Sequence, residues 1–230
     1  MLKVKQKIKN RLRSWLFQVE QDIELANQRI ATQETVGYIR SNFKEVIAFN
    51  NKYEIYDYVA KAIDISSQDS ILEFGVYKAE SINYLAKIFP SHALFGFDSF
   101  EGLPEYWRIG FDKSSFNING TLPKVAPNIK LYKGWFQEGI PIFLNENNVS
   151  KIALLHIDCD LYSSTVTVFE MLGHLIQDGT IIIFDEYFNY PDWQNHEYKA
   201  FQEFVQQSNL NYKYLAYNQR HEQVVVKIIK

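Results

Sequence analysis

Several features are scarce or missing in this 230-residue sequence, and each absence excludes a class of protein. The single cysteine, Cys159, excludes an internal disulfide framework and suits a reducing compartment. No apolar run reaches the length of about 18 residues that a transmembrane helix needs. The N-terminus also lacks the apolar core and cleavage site of a signal peptide. The cytoplasm is therefore the expected location.

Charge is distributed unevenly along the chain. Residues 1–13 contain six basic residues and no acidic one, so the remainder carries −9 of a total net charge of −3. A mostly acidic body argues against a nucleic-acid-binding surface. Apolar residues recur at helical spacing over residues 1–30, which predicts a helix. This basic helix packs on its own domain or on a second subunit, or else makes a peripheral contact with a membrane.

The apolar pattern predicts an N-terminal helical extension over residues 1–63 and an α/β domain over residues 64–230. Within that domain, short and continuous apolar runs alternate with helical segments, which is typical of a parallel sheet buried on both faces. Two runs near the C-terminus are separated by a short polar turn and favour an antiparallel pair. We therefore expect a doubly wound sheet with helices on both faces. The five expected parallel strands are 70–75, 93–98, 129–134, 151–158 and 180–186.

Acidic residues stand at or near the ends of four of these five strands. The carboxyl ends of parallel strands form one rim, and ligands bind outside that rim. Four carboxylates at two neighbouring strand ends repel one another unless a cation lies among them. Ligation by oxygen alone selects Mg²⁺, Ca²⁺ or Mn²⁺. The four acids are Asp158, Asp160, Asp185 and Glu186, and His156 is expected to be a core residue and not a ligand.

The first and second strand ends have the pattern of a nucleoside-binding site. Gly75 would let the backbone approach a ligand, and Ser81 would lie near a helix start that favours anionic groups. Asp98 stands where such domains place the acid that accepts hydrogen bonds from ribose. Tyr77 and Glu80 occupy the positions of the second and third glycines of the dinucleotide motif, which disfavours a nicotinamide-dependent dehydrogenase.

Four motifs between residues 71 and 204 resemble those of the macrocin-type sugar O-methyltransferases. They are LEFGVYKAES, FGFDSFEGLP, HIDCDLYSST and IIIFDEY. The resemblance implies a Rossmann-like sheet of seven strands, with S-adenosylmethionine and Mg²⁺ as cofactors. It also implies a sugar or a glycosylated natural product as the acceptor. The first motif further resembles catechol O-methyltransferase, and a phenol or a lipid-linked polysaccharide stays open as an alternative acceptor.

The resemblance also implies roles for individual residues. Asp158, Asp185 and Glu186 match the metal ligands, and Asp160 matches the general base. The motif differs from the family's pattern at Glu186, where an aspartate is usual, and at residues 78–80, where small glycines are common. The implied cofactor contacts are Glu73, Gly75, Ser81, Asp98, Ser99, Gly134, Trp135 and Asp158.

The irregular segment 101–128 and the aromatic-rich helices before residue 63 are expected to wall the acceptor cleft. His196 matches a histidine on the substrate side of the family. Tyr106 and Trp107 suit stacking on a sugar ring or an apolar aglycone, and they equally suit a core or a homodimer interface. A long irregular insert in a compact domain is usually functional.

Overall fold

The computed structural model describes residues 7, 11, 22–66 and 68–229. The predicted basic helix therefore falls mainly outside the described residues. The helices are α1 (Ile23–Asn42), α2 (Lys52–Ala62), α3 (Glu80–Ile88), α4 (Phe136–Glu146), α5 (Tyr162–Leu172) and α6 (Glu197–Gln207). The strands are β1 (Ile47–Phe49), β2 (Ser70–Phe74), β3 (Leu94–Asp98), β4 (Ile129–Lys133), β5 (Ile152–Ile157), β6 (Ile181–Phe184), β7 (Asn211–Asn218) and β8 (Val224–Ile229).

The strands form one sheet in the order β1-β7-β8-β6-β5-β2-β3-β4. Strands β4, β3, β2, β5 and β6 are parallel, as predicted, and β8 pairs antiparallel with both β6 and β7. The strand order reverses between β2 and β5, which is where a doubly wound sheet opens its ligand crevice.

The sheet has eight strands, so the expected number of seven was one too low. The additional strand is β1, which pairs parallel with β7 in a region where the sequence predicted only helix. Its three residues lie at the edge of the sheet and two of them are exposed, so they lack the continuous apolar pattern of a buried strand. Pairing with β7, and not local preference, makes this segment extended.

Apolar side chains pack on both faces of the sheet. Along β2, Leu72 and Phe74 enter one cluster with residues of α4, α5 and α6, whereas Ile71 enters a second cluster with residues of α2 and α3. This alternation follows from the two-residue period of a strand. It confirms the prediction of helices on both faces. The division of the chain at residue 63 stays a prediction, although β1 and α2 contribute to the sheet and the core.

Residues 101–128 contain no helix or strand, as the sequence indicated. The segment crosses the carboxyl ends of the strands, where Phe111 stacks on Phe116 with ring centroids 5.6 Å apart. Among the described residues, no helix is both long and apolar enough to cross a membrane.

Candidate functional site

A cavity of about 700 Å³ opens at the carboxyl ends of the parallel strands. The loops after β2, β3, β5 and β6 supply its floor, and the start of α4 supplies one side. The insert closes the top with Trp107, Arg108 and Phe111. The acids that follow β3, β5 and β6 are therefore brought together at one rim, as the spacing predicted. Those that line the cavity are Asp98, Asp158, Asp160, Asp185 and Glu186.

The turn after β2 is held by Asp98. Its Oδ2 accepts hydrogen bonds from the N–H groups of Val76 and Tyr77 at 2.8 and 2.7 Å, and its Oδ1 accepts one from Phe100 at 2.6 Å. Burial raises the pKa of Asp98, while these three donors act in the opposite direction. Oδ1 can still accept a hydrogen bond from a ligand, so Asp98 both builds the turn and faces the cavity.

Gly75 is required for a reason that the sequence did not reveal. It has a φ of +93°, and an added Cβ would lie 1.6 Å from the carbonyl oxygen of Asp158. Glycine is thus needed because the backbones at two strand ends lie close together, in addition to any approach of a ligand. The Asp158 N–H also donates to the Phe74 carbonyl at 2.8 Å, which joins the loops after β2 and β5.

Two of the expected cofactor contacts lie apart from the cavity. Glu73 is 1% exposed and does not line the cavity. It accepts from Ser81 Oγ at 2.9 Å and from His156 Nδ1 at 2.9 Å. Gly134 also does not line the cavity, but its N–H donates to the Asp98 carbonyl and it precedes α4. Ser81, Ser99 and Trp135 do line the cavity.

The acids after β5 and β6 form the second part of the site. Single ligand atoms of His156, Asp158 and Asp185 lie within 4.8 Å of one another. Glu186 is not part of this compact group, although it lines the same cavity. Asp185 Oδ1 and Glu186 Oε2 are buried without a hydrogen-bond partner among the described residues. Buried carboxylate oxygens without donors fit a cation as their partner.

The electrostatics of these acids agree with that reading. Burial and the charge of Asp185 raise the pKa of Asp158 and of Glu186 well above their usual values. Burial opposes ionisation of Asp185 too, but the nearby His156 and the charge of Lys52 bring its pKa to about 2. The carboxylate of Asp185 is thus the one that ionises most readily. Ionisation of Asp158 and Glu186 costs free energy unless a positive charge lies beside them.

Asp160 has an unusual backbone conformation. Its φ is +64°, and the N–H of Leu161 donates to the carbonyl of Cys159 across it at 2.6 Å. A left-handed residue other than glycine costs about 1–3 kcal/mol, and such strain concentrates at functional sites. The turn directs Asp160 into the cavity, where burial raises its pKa to about 8 although Arg108 acts in the opposite direction.

The three predicted acceptor contacts differ in position. Trp107 is 5% exposed and lines the cavity. Tyr106 is 59% exposed and does not line it. His196 also lies outside the cavity lining, where its Nδ1 has no hydrogen-bond partner among the described residues and burial lowers its pKa.

Sequence reasoning missed the basic residues of the site. Lys52 lines the cavity at the start of α2, where burial opposes its charge but Asp185 and Asp158 raise its pKa. Arg108 lies over the Trp107 ring at 3.9 Å and forms a paired hydrogen bond with Glu222 at 3.1 and 3.2 Å. Neither residue belongs to a motif. For Arg108 the sequence holds one signal, because this residue stands among the aromatic residues of the insert and arginine often stacks on aromatic rings.

One comparison with known proteins matches the part of the chain that contains the acids after β5 and β6. Residues 115–215 match the family model described as macrocin-O-methyltransferase (TylF), and this range contains two of the four motifs that carry the resemblance, HIDCDLYSST and IIIFDEY. An 8-demethyl-8-(2,3-dimethoxy-alpha-L-rhamnosyl)-tetracenomycin-C 4'-O-methyltransferase of Streptomyces olivaceus is 26% identical, and the match covers 51% of this chain. The chain spans about half the length of that relative, at 52%.

Two solved structures share the fold. The calicheamicin methyltransferase CalS11 superposes with a TM-score of 0.64 at 24% identity, covering 76% of this chain and 78% of that chain. The O-methyltransferase NovP superposes with a TM-score of 0.59 at 15% identity, covering 78% and 80%. These similarities confirm the Rossmann-like methyltransferase fold.

Proposed function

We propose that this protein is an S-adenosylmethionine-dependent O-methyltransferase that methylates a hydroxyl group of a sugar or a glycosylated small molecule. The observation that carries the proposal is the convergence of Asp158, Asp160 and Asp185 on one cavity, at the switch point of a methyltransferase sheet. The family match includes all three of these residues. The relative from Streptomyces olivaceus acts, by its name, on a rhamnosyl group, which supports a sugar as the acceptor.

The half of the cavity after β2 and β3 would hold the methyl donor. S-adenosylmethionine, when bound, supplies an electrophilic methyl group on a sulfonium. Ser81 and the backbone of the turn around Gly75 would contact its methionine portion, and Asp98 and Ser99 would face its ribose. Trp135 would pack beside the adenine. The carboxylate of Glu73 contributes indirectly, through Ser81.

The half of the cavity after β5 and β6 would hold a divalent cation. Asp158, Asp185 and Glu186 would be its protein ligands. The buried oxygens of Asp185 and Glu186 without donors fit a hard cation such as Mg²⁺. Such a cation would supply Lewis acidity, which lowers the pKa of an acceptor hydroxyl group. Lys52 supplies positive charge at the same place, so it is the alternative counterion that a test must separate from a metal.

Asp160 would take the proton from the acceptor hydroxyl. Its pKa of about 8 lies close to neutral pH, which suits a general base. Trp107, Phe111 and Phe116 would form the wall against which a sugar ring or an aglycone packs. His196 and Tyr106 do not line the cavity, so they have no direct role in this proposal.

The remaining predictions concern the surroundings of the enzyme. A phenol or a lipid-linked polysaccharide is the second candidate acceptor. The likeness of the first motif to catechol O-methyltransferase favours the phenol, and the basic residues 1–13 suit a membrane-linked substrate. A homodimer, a peripheral membrane contact and a cytoplasmic location stay predictions from the sequence.

The test is release of S-adenosylhomocysteine over a panel of free sugars, glycosides, nucleotide sugars and catechols, with Mg²⁺ or with EDTA. We expect turnover on a sugar hydroxyl that requires Mg²⁺. Turnover on catechols alone would favour the second acceptor class. Turnover unaffected by EDTA would remove the metal and leave Lys52 as the counterion. Absence of S-adenosylhomocysteine binding would contradict the whole proposal.

A further inference from the structure

A chain of buried polar contacts runs beneath the cavity from one half of the site to the other. Ser81 Oγ donates to Glu73 Oε1 at 2.9 Å, and the imidazole Nδ1 of His156 lies 2.9 Å from Glu73 Oε2. On its other side, His156 Nε2 lies 3.8 Å from Asp185 Oδ1. The chain begins and ends at residues that line the cavity, Ser81 and Asp185.

The two middle members of the chain face away from any ligand. Glu73 and His156 are 1% and 0% exposed, and neither lines the cavity. They are register partners on adjacent parallel strands, β2 and β5. The hydroxyl group of Tyr56 from α2 covers them, 3.4 Å from His156 Nε2. A cation in the cavity would contact Asp158 and Asp185 from the front, whereas His156 lies behind them.

Fold stability alone does not explain such a chain. Well-packed apolar residues in place of a buried ion pair often leave stability unchanged or increase it by about 1–4 kcal/mol. The surrounding positions on the same strands are apolar and fully buried, as at Leu72, Phe74 and Leu155. What the polar pair adds is a fixed orientation, because Glu73 holds the imidazole ring by one nitrogen and directs the other toward Asp185.

Asp185 is held from two sides. His156 Nε2 faces its Oδ1, and Gln223 Nε2 donates to its Oδ2 at 3.1 Å. The Gln223 hydrogen bond holds Oδ2, and the neighbouring His156 ring limits where Oδ1 can turn, while Oδ1 has no hydrogen-bond partner among the described residues. The geometry is that of a ligand oriented by its neighbours before a cation binds.

We propose that His156 is a positioning residue that orients Asp185 for a divalent cation, and that Glu73 serves to hold His156 and not to bind the methyl donor. The inference rests on the proposed function, because it needs the cation. It predicts that changes at His156 weaken the cation site and leave the cofactor site nearly unchanged.

Two substitutions of His156 separate its two contacts. In His156→Asn the amide nitrogen can replace Nδ1 and keep the bond to Glu73, but nothing reaches Asp185. In His156→Gln the longer side chain places its amide nitrogen near the position of Nε2. Loss of a residue that orients a metal ligand costs about 10–100-fold in metal affinity. We therefore expect His156→Asn to bind Mn²⁺ that much more weakly in an EPR titration, and His156→Gln to recover part of the loss.

Calorimetry with S-adenosylhomocysteine is the parallel measurement, and His174→Asn, at an exposed histidine away from the cavity, is the matched control. The expected result is cofactor affinity within about threefold of the unchanged protein for both His156 variants, and unchanged Mn²⁺ affinity for His174→Asn. Equal Mn²⁺ affinity in His156→Asn and the unchanged protein would overturn the inference. Parallel loss of Mn²⁺ and cofactor binding would also overturn it, because that pattern indicates a general structural role.

A measurement on the unchanged protein keeps the inference testable if the variants do not fold. Electron spin echo spectra of the Mn²⁺-loaded protein should show no nitrogen bound directly to the metal. A strong coupling to ¹⁴N would make His156 a ligand and overturn the positioning role. Absence of any Mn²⁺ binding would remove the proposed metal and this inference with it, while the cofactor titration would still test the methyltransferase assignment.

Discussion

The two halves of the cavity satisfy their polar groups in opposite ways. In the half after β2 and β3, Asp98 accepts hydrogen bonds from three backbone N–H groups. In the half after β5 and β6, Asp185 and Glu186 each keep a buried oxygen without a hydrogen-bond partner among the described residues. In the first half, the backbone of the turn itself supplies the hydrogen-bond donors that the buried carboxylate needs. In the second half, the unpaired carboxylate oxygens fit a cation as their partner.

The largest expected effect is on turnover, in the half that handles the proton. Asp160→Asn keeps the size of the side chain and removes the proton acceptor, so we expect turnover to fall about 10²–10⁴-fold. Binding of S-adenosylhomocysteine and of Mn²⁺ should change little, because the substituted group belongs to neither contact set. Turnover within threefold of the unchanged protein at saturating Mg²⁺ would exclude Asp160 as the base.

The next largest effect is expected where the backbones of the two halves touch. Gly75→Ala places a methyl group 1.6 Å from the Asp158 carbonyl oxygen, so the loops after β2 and β5 must separate. We expect a loss of about 3 kcal/mol in the free energy of unfolding, measured by urea denaturation. Gly110→Ala is the matched control, because Gly110 also has a positive φ but has nothing within 4 Å. It should lose only the backbone penalty of about 1–2 kcal/mol. Equal losses in the two variants would contradict the close approach.

A smaller effect tests the half after β2 and β3. Asp98→Asn directs an amide NH₂ group at backbone donors, which leaves at least one of them unpaired at a cost of about 1–3 kcal/mol. We expect S-adenosylhomocysteine to bind about tenfold more weakly and Mn²⁺ to bind as before. Asp112→Asn, in an exposed loop, is the control and should change neither affinity. Loss of Mn²⁺ binding in Asp98→Asn would mean that the two halves are not independent.

The last effect is the pH dependence of thermal stability in EDTA. The pKa of Asp160 is raised to about 8, so the folded state binds a proton that the unfolded state has lost. That contribution is complete below the unfolded pKa of about 4 and disappears as the pH rises through about 8. We therefore expect Tm to fall over this range, less steeply in Asp160→Asn, and Mg²⁺ to restore more stability at pH 8 than at pH 5. Equal stabilisation by Mg²⁺ at both pH values would argue against ionised carboxylates as the ligands.

The sequence predicted the features that depend on local pattern. Continuous apolar runs located β2 to β6, and the acids that follow these strands located the rim, because parallel strands deliver their ends to one edge. The edge strand β1 was missed because its exposed residues depend on pairing with β7. Glu73 was expected to contact the cofactor, and that role stays a prediction. The structure places it beneath the cavity beside His156, a neighbour that only the fold brings to it. Lys52 and Arg108 reach the cavity through tertiary packing that no motif encodes.

The most direct test of the cation site is an anomalous difference map from a crystal grown with Mn²⁺ and S-adenosylhomocysteine. We predict one strong peak at the carboxyl ends of β5 and β6, about 2.1 Å from carboxylate oxygens of Asp158 and Asp185. Lys52 should then lie outside the coordination sphere. A map with no peak there, and with the Lys52 ammonium group between the two carboxylates, would contradict the claim that these acids hold a cation.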